Sequence, residues 1–418
     1  MKEDTTTLVE NPEKVREAEI IVGTPSHNEV DTISNVTSTA DRGLREYFAD
    51  KKAVIINADN HSSDGTKDAF LATPTQTAKI YISTPAGLKG KGRNCRNLFR
   101  AAAELNAKAI VMIDADLTSF TPKWIHYLGE PLFCGFDYVS PIYERHKYDA
   151  SITNHFACPF LRTLYGSRIR QPIGGDFGFS GKLALAYLSE KSWTENVANF
   201  GIDIWMTTIA FVRGFKVCQT FLNSSKSHRV KDPAWHLASM FTNVIATIFD
   251  LMIEFEYIWK HVTASHPSSI FGFGLGVNEK PPVPSLDTDN LYNTFKTGFE
   301  NFGDVWQQVI PPEQFAEVTK LTSFSKEEFY YPSRLWARLL YGFAAVYRDD
   351  ELPQQVLIDS LIPFYYSRML SFANKTKDWG TRECEDYLEE IFRVCEREKP
   401  YLIQRWNHGK SGFLNVES

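Results

Sequence analysis

The chain has 418 residues, a length that predicts two or three domains rather than one small core. Apolar residues make up 43% of the sequence and charged residues 23%, which is typical of a soluble globular protein. The formal net charge of −6 argues against nucleic acid as a partner, because proteins that bind nucleic acid carry basic surfaces.

Cysteine spacing and the N-terminus predict a cytoplasmic protein. The six cysteines are scattered without a Cys-x-x-Cys pair, so reduced thiols are expected rather than disulfides or a zinc site. Residues 1–18 form a polar lead-in without the apolar core of a signal peptide. The most apolar long stretch, 236–259, is interrupted by polar residues, so we expect a mostly buried helix and no membrane span, with a membrane-surface helix as the alternative.

Four short apolar runs in the first part of the chain predict β-strands. Segments of helical length separate them, a pattern that predicts βαβ units and a parallel sheet. Polar residues follow these runs, and the carboxyl ends of parallel strands share the sheet edge where open α/β folds bind ligands. The predicted strands cover residues 19–24, 53–58, 79–83 and 110–113.

The ends of these strands carry the first candidate site residues. Asp59 follows the second strand, where it fits either hydrogen bonding to a nucleobase or ribose, or capping of the next helix. Lys89 and Lys91 lie between glycines, which let the backbone approach phosphates closely; a solvated loop is the alternative. The Walker spacing of glycines and lysine is absent from this loop.

Asp114-Ala115-Asp116 ends the fourth strand and is the centre of the predicted site. Two carboxylates at this spacing form a hard-oxygen site for Mg²⁺ or Mn²⁺, although a solvated turn gives the same pattern. His228 follows a predicted strand at 216–222. It is a candidate third ligand, since neutral imidazole binds Mn²⁺ and Co²⁺.

Further polar groups occur after residue 138. Arg145, Asp149 and Thr153 precede a predicted helix. The paired glycines before Asp176 indicate backbone pressed against a ligand, or else a plain turn. Asp203 opens an apolar helix, which it either caps or equips with a functional carboxylate.

From about residue 233 the pattern changes to long helical periodicity. The turn-forming residues of 272–290 predict a connecting loop. No ligand-spaced cluster occurs in this half, so its amphipathic helices are expected to pack on the sheet domain, on each other and on a second subunit as a homodimer. The predicted helices cover residues 234–262, 287–301, 313–321, 326–348, 353–374 and 381–397.

The order of these motifs resembles that of a known family. Residues 22–29 and 59–66 resemble the two nucleotide-binding motifs of family 2-like glycosyltransferases, and Asp114-Ala115-Asp116 matches their metal-binding Asp-x-Asp. More narrowly, the motifs of residues 19–231 resemble those of the retaining enzymes that make mannosylglycerate, glucosylglycerate or glucosyl-3-phosphoglycerate. The resemblance implies an α/β fold: a GT-A (Rossmann-like), mostly parallel sheet domain over 19–232, followed by an all-α region over 233–418.

The resemblance also implies roles on the donor side. Pro25 and Glu29 would line the nucleotide pocket, and Asp59 would hold the base. Lys91 would contact the diphosphate. Asp114 would bind the ribose or support the metal ion.

Other roles follow from the same resemblance. Asp116 and His228 would ligate a divalent cation, Mg²⁺ or Mn²⁺ with Co²⁺ as an alternative, that bridges the diphosphate. The backbone at Ile173 would lie near the anomeric carbon, and Asp176 would hold sugar hydroxyls. The family often has Glu at the position of Asp176, which leaves the sugar preference open.

The acceptor site implied by the resemblance contains Arg145, Thr153 and Asp203. Arg145 would pair with the acceptor carboxylate. Arg93 stands where the family commonly has an acidic residue, and its charge would favour either a phosphorylated acceptor or the donor diphosphate. For retention of configuration, a covalent route would use Asp176 or Asp203 as nucleophile; the family favours front-face attack.

The expected function is therefore metal-dependent transfer of glucose or mannose from a nucleotide-diphosphate sugar to D-glycerate or 3-phosphoglycerate. One alternative is a GT-A transferase acting on another hydroxyl acceptor, such as a lipid or polysaccharide. A nucleotidyltransferase would need a basic glycine-rich loop after the first strand, which residues 24–29 do not provide. A non-catalytic binding protein is expected to have lost Asp116, His228 or Asp203, and all three are present.

Overall fold

The computed structural model describes residues 7–229, 233–273, 283–284 and 286–409. Contacts divide the chain into two compact units. The first takes in the described residues of 1–145, 169–247 and 267–282, and the second those of 146–168, 248–266 and 283–418. This grouping differs from the predicted domain boundaries, since residues 146–168 join the helical unit.

Nine strands form one sheet in the described part of the first unit, in the order β1-β4-β3-β2-β5-β7-β6-β8-β9. All four strands predicted from the early apolar runs are present, within a few residues of the predicted ends. The strands are β1 (Leu8–Glu10), β2 (Ile20–Ser26), β3 (Ala53–Asp59), β4 (Ala78–Ser83), β5 (Ala109–Met112), β6 (Tyr138–Glu144), β7 (Phe177–Ser180), β8 (Val217–Ser225) and β9 (Ser269–Phe271).

The sheet is mostly parallel, as the α/β prediction required. β4, β3, β2 and β5 are parallel neighbours, and so are β6, β8 and β9. Strand β7 runs antiparallel between β5 and β6 and joins the two parallel groups. The polar lead-in predicted over 1–18 supplies an edge strand, because β1 pairs antiparallel with β4.

Helices connect the strands and then make up most of the remaining chain. They are α1 (Ile33–Tyr47), α2 (Thr66–Ala72), α3 (Lys91–Glu104), α4 (Pro122–Phe133), α5 (Cys158–Tyr165), α6 (Gly181–Ser189), α7 (Glu195–Ala198), α8 (Ile202–Val212), α9 (Pro233–Glu254), α10 (Glu256–Trp259), α11 (Thr288–Val309), α12 (Pro312–Leu321), α13 (Ser333–Asp349), α14 (Gln354–Thr376), α15 (Thr381–Arg397) and α16 (Lys399–His408).

Prolines account for two differences from the predicted helices. The helix predicted over 326–348 begins only at Ser333, because the residue before a proline is disfavoured in helical conformation and Pro332 precedes this start. The unpredicted helix α16 follows α15 directly and carries Pro400 in its first turn, where proline is tolerated. The loop predicted over 272–290 falls mostly outside the described residues.

Apolar residues of the sheet and its helices form the core of the first unit. Ile20, Val111 and Val139 come from three strands, and Val36 and Trp124 come from α1 and α4; all are buried. β-Branched side chains suit strands covered on both faces. This packing holds the strands rigidly, so polar residues at their ends have fixed positions.

The second unit is helical and its interior is rich in aromatic side chains. Trp306 lies 4.0 Å from Phe364 between ring centroids, and Trp259 meets Trp406 edge to face at 5.1 Å. The buried Arg162 side chain pairs with Glu389 and Glu396 of α15. All six cysteines lie among the described residues and carry free thiols.

Within the described chain, one helical segment, Leu237–Glu254, is long and apolar enough to cross a membrane, with a mean hydropathy of 1.4. Half of this segment is buried inside the protein. Buried helices of water-soluble proteins pass the same test of length and composition, so this is weak evidence for a membrane span.

Candidate active site

The carboxyl ends of β3 and β2 meet at a hydrogen-bonded carboxylate. Asp59 is fully buried and accepts hydrogen bonds from the hydroxyls of Ser26 at 2.8 Å and Tyr81 at 2.8 Å. Ser62 donates to it twice, from its backbone N–H at 2.7 Å and its hydroxyl at 2.6 Å. These donors fix the carboxylate at the sheet edge. The predicted contact of Asp59 with a nucleobase stays a prediction.

The segment after β2 is tied to the Asp-Ala-Asp segment through Arg229. Pro25 and Glu29 are both buried. The Arg229 guanidinium donates to a Glu29 carboxylate oxygen at 3.0 Å, and the Arg229 backbone N–H donates to the Asp116 carbonyl at 2.9 Å. The structure therefore links two predicted site residues, Glu29 and Asp116, through an arginine to which sequence reasoning gave no role.

Lys91 lies between two carboxylates. Its Nζ is 2.8 Å from Asp114 Oδ1 and 3.2 Å from Asp203 Oδ1. Burial alone would lower the pKa of Lys91, but the attraction of the two carboxylates outweighs burial and raises it. The next residue, Gly92, lets the start of α3 pack closely on α7, because a Cβ there would overlap the backbone carbonyl of Val197.

Lys226 is a site residue that sequence reasoning missed. It follows β8, and its Nζ lies 3.0 Å from Asp114 Oδ2 and 2.7 Å from Asp176 Oδ2. The same ammonium donates to the Gly174 carbonyl at 2.7 Å. The signal available in the sequence was a lysine four residues after the predicted strand at 216–222 and two residues before His228.

Asp176 lies beside Asp114 because β7 pairs antiparallel with β5, which places the start of β7 at the end of β5. The Asp114 backbone N–H donates to Asp176 Oδ1 at 2.9 Å, and the Tyr143 hydroxyl donates to Asp176 Oδ2. Asp176 is completely buried. Burial raises its pKa more than the attraction of Lys226 lowers it.

Asp114 has the opposite electrostatic balance. Burial would raise its pKa, but Lys91 and Lys226, one at each carboxylate oxygen, lower it well below the ordinary range. Asp114 is therefore ionised near neutral pH. The five charged groups form an alternating series in which Asp203, Lys91, Asp114, Lys226 and Asp176 follow one another.

Asp203 carries a buried oxygen without a hydrogen-bond donor. Among the described residues, no group donates to its Oδ1 with hydrogen-bond geometry, although the Lys91 ammonium is close. Burial raises the pKa of Asp203 despite the attraction of Lys91. A buried carboxylate oxygen without a donor is costly, and a ligand hydroxyl could donate to it.

The remaining predicted site residues are placed as follows. The Ile173 peptide lies between the Pro172 carbonyl, which accepts from Thr207, and the Gly174 carbonyl, which accepts from Lys226. The Arg145 guanidinium lies over the ring of Tyr143 at 5.1 Å. Thr153 belongs to the second compact unit, where it begins a buried π-helical turn, Thr153–Ala157. The predicted roles of Ile173, Arg145 and Thr153 stay predictions.

Asp116 and His228, the predicted cation ligands, lie on neighbouring segments. Leu117 pairs with His228 as an isolated antiparallel bridge, which brings the segments of Asp116 and His228 together. Desolvation and the Lys226 charge lower the pKa of His228, which favours the neutral imidazole that metal ions bind. Within the described residues, no group of three or more His, Cys, Asp or Glu side chains is placed to hold a metal ion. One carboxylate and one imidazole would leave most coordination positions of a divalent cation to substrate phosphates and water, and the binding of a cation here stays a prediction.

The mostly parallel sheet, with Asp-Ala-Asp after a central strand and lysines and carboxylates at the same edge, has the α/β arrangement that the sequence resemblance predicts. The family model described as "Mannosylglycerate synthase, GT domain" matches residues 8–249. This match covers more than half of the chain, which therefore belongs to the mannosylglycerate synthase GT-domain family.

Two relatives are similar over part of the chain. The mannosylglycerate synthase of Rhodothermus marinus is 29% identical over 171 residues, which are 40% of this chain and 43% of that protein. The mannosylglycerate synthase of Selaginella moellendorffii is 26% identical over 185 residues, 43% of each chain. The matched stretches thus cover less than half of the length of either relative.

A solved structure is similar at lower identity. The glucosyl-3-phosphoglycerate synthase of Mycobacterium tuberculosis, crystallised with Mn²⁺, uridine diphosphate and phosphoglyceric acid, is 24% identical to this chain. The alignment covers 56% of this chain and 78% of that one, with a TM-score of 0.43.

Proposed function

We propose that this chain is a metal-dependent retaining glycosyltransferase. It transfers glucose or mannose from a nucleotide-diphosphate sugar to the hydroxyl group of D-glycerate or 3-phosphoglycerate. Membership of the mannosylglycerate synthase GT-domain family supports the reaction class. A cytoplasmic location and a homodimer belong to the same proposal.

The pairing of Lys91 with Asp203 is the observation on which the proposal chiefly rests. Lys91 is a cation beside the Asp-Ala-Asp segment, where a diphosphate is expected. Asp203 Oδ1 is a buried acceptor within 3.2 Å of that cation. A hydroxyl bound to Asp203 would therefore lie next to the place where the diphosphate leaves, which is the proximity that glycosyl transfer requires.

The chain's own residues have defined parts in the chemistry. The acceptor oxygen bonds to the anomeric carbon while the bond from that carbon to the diphosphate oxygen breaks, and the diphosphate keeps the electron pair. Lys91 stabilises the charge that develops on the leaving diphosphate. Asp203 holds and orients the acceptor hydroxyl. The proton of the acceptor hydroxyl passes to the leaving phosphate, which lies on the same face of the sugar.

Front-face attack is the route we propose for retention. A covalent route would need a carboxylate able to reach the anomeric carbon. Asp176 is completely buried and accepts hydrogen bonds from Tyr143, Lys226 and the Asp114 backbone. These contacts support a role for Asp176 in holding the sugar rather than in nucleophilic attack.

Asp116 and His228 are the proposed cation ligands. Asp114, which Lys91 and Lys226 hold in place, is proposed to support the cation from the neighbouring position. A bound Mg²⁺ or Mn²⁺ would supply positive charge to the leaving diphosphate. Arg145 is the proposed partner of the acceptor carboxylate, since a guanidinium binds carboxylates in a fork geometry.

A transfer assay tests this proposal. Purified protein would be incubated with UDP-glucose or GDP-mannose, each with D-glycerate, 3-phosphoglycerate or no acceptor, in the presence of Mg²⁺, Mn²⁺ or a chelator. NMR of the anomeric proton would follow the product and its configuration. We expect an α-linked product with one donor–acceptor pair, at a rate that the chelator reduces to background. Asp116→Asn is expected to lower the rate at least about 100-fold.

The outcomes separate the alternatives. Donor hydrolysis without transfer to either glycerate would contradict the acceptor assignment and favour another hydroxyl acceptor. A β-linked product would contradict retention. Unchanged turnover with the chelator, and in Asp116→Asn, would contradict the cation site.

A further inference from the structure

Two lysines share the carboxylate of Asp114, one at each oxygen. Lys91 approaches Oδ1 at 2.8 Å, and Lys226 approaches Oδ2 at 3.0 Å. Their surroundings differ, because 18% of the Lys91 side chain is exposed against 4% for Lys226. Lys91 is thus the lysine that an incoming ligand can reach.

Lys226 is held on several sides. Its ammonium pairs with the buried Asp176 at 2.7 Å and donates to the Gly174 carbonyl at 2.7 Å. The ring of Tyr143 lies 5.3 Å from the same nitrogen, and the Tyr143 hydroxyl is bonded to Asp176. An ammonium with these contacts has little freedom to leave.

Lys91 has fewer constraints. It stands at the first position of α3, directly after a glycine-rich loop. Among the described residues, its ammonium pairs with the carboxylates of Asp114 and Asp203. A diphosphate carries more negative charge than either carboxylate. Lys91 can therefore exchange Asp114 for the diphosphate without breaking other hydrogen bonds.

We propose that Lys226 is a positioning residue: it holds Asp114 in place and neutralises it while Lys91 turns from Asp114 to the donor diphosphate. This inference rests on the proposed function. Lys226 touches no substrate. It lowers the cost of donor binding, because Asp114 keeps a cation when Lys91 is withdrawn.

The alternative is a purely structural role for Lys226. Loss of a positioning residue would change donor affinity, whereas loss of a structural residue would change the amount of folded protein. Without Lys226, Lys91 would be the remaining cation at Asp114, and donor binding would have to leave a largely buried carboxylate unpaired. Donor affinity would then fall. A purely structural lysine, once lost, would lower the amount of folded protein and so kcat, with KM unchanged.

The experiment compares Lys226→Met, which has a similar length without charge, with Lys226→Arg, which keeps the charge. Lys79→Met is the matched control, because Lys79 is a buried lysine of the same unit that donates to the carbonyls of Phe70, Leu71 and Thr73. The dissociation constants of UDP-glucose and GDP-mannose with Mg²⁺ would be measured by calorimetry, together with KM, kcat and the melting temperature.

We expect Lys226→Met to raise the donor Kd and KM about tenfold or more, and Lys226→Arg to recover most of this loss. Lys79→Met should lower the melting temperature without changing the donor Kd. If Lys226→Met does not fold, Lys226→Gln, which keeps a hydrogen-bond donor without charge, replaces it.

An unchanged donor Kd and KM in the folded, uncharged Lys226 variant would overturn the proposal. So would a loss of donor affinity of equal size in Lys226→Met and Lys226→Arg. If the wild-type protein binds neither donor, the proposed function fails first, and that outcome is seen before any variant is compared.

Discussion

Gly175 packs directly against Asp114. A methyl group added at Gly175 would overlap Asp114 Oδ2, the oxygen that pairs with Lys226. The backbone of Gly175 also has φ = +82°, a conformation that residues with a Cβ rarely adopt. Gly175, the second of the paired glycines before Asp176, is therefore required by the carboxylate on which the site is centred.

Gly175→Ala is expected to lower transfer at least about tenfold, because the methyl group displaces Asp114 from its lysines. Gly135→Ala is the matched control, since Gly135 has φ = +92° with nothing within 4 Å of an added Cβ. Both variants should lose about 1 kcal/mol of stability from backbone strain. Gly175→Ala should lose more because of its overlap with Asp114, and only Gly175→Ala should lose activity. Equal activity of the two in steady-state assays would show that Asp114 tolerates displacement.

Asp203→Asn is expected to lower the transfer rate at least about 100-fold. The free energy of unfolding should stay unchanged or rise by about 1 kcal/mol. Burial raises the pKa of Asp203 above that of the unfolded chain, so the folded state loses stability as the pH rises through the folded pKa. Asparagine removes that loss. Thermal melting of both proteins between pH 4 and pH 8 measures it, and a melting temperature well below wild type would identify Asp203 as structural.

Arg229→Leu should lower the free energy of unfolding by about 2 kcal/mol, because it removes the arginine partner of the buried Glu29 carboxylate. Adding Glu29→Gln in the same chain should restore part of this loss, since no buried charge is then left. Arg397→Leu, at an exposed pair with Glu390, is the control and should cost less than about 0.5 kcal/mol. Urea unfolding measures all three; a double variant no more stable than Arg229→Leu would contradict the pairing argument.

Because of the buried Lys399, we expect the free energy of unfolding of the helical unit to depend on pH. Burial lowers its pKa to about 8, and its ammonium donates to the Trp259 carbonyl at 2.7 Å. The folded chain releases this proton at lower pH than the unfolded chain, so the free energy of unfolding should rise between pH 8 and about 10.4. Lys399→Met should remove this rise, on the order of 2 kcal/mol. The control Lys377→Met, at an exposed lysine, should keep the rise in the free energy of unfolding. Urea unfolding across this pH range measures both variants.

Local sequence patterns were sufficient for the first half of the sheet. The apolar runs that became β2, β3, β4 and β5 are short, β-branched and bounded by polar residues, so each run indicates its own strand. The Asp-Ala-Asp motif needs no long-range information, because a strand end fixes where Asp114 lies. Helix ends were predicted less well where a proline, such as Pro332, overrides the periodicity.

What the sequence by itself determined is the class of the fold and one side of the site: parallel strands ending in Asp59 and Asp114, and a lysine in a glycine-rich loop. Tertiary structure alone decided the rest. Lys226 meets Asp114 only because β7 inserts antiparallel between β5 and β6, with β8 beside β6. Strand order and register depend on pairing between residues far apart in the chain, such as Ala109 with Ser180 and Tyr138 with Val217. No local pattern records which charge will stand beside which.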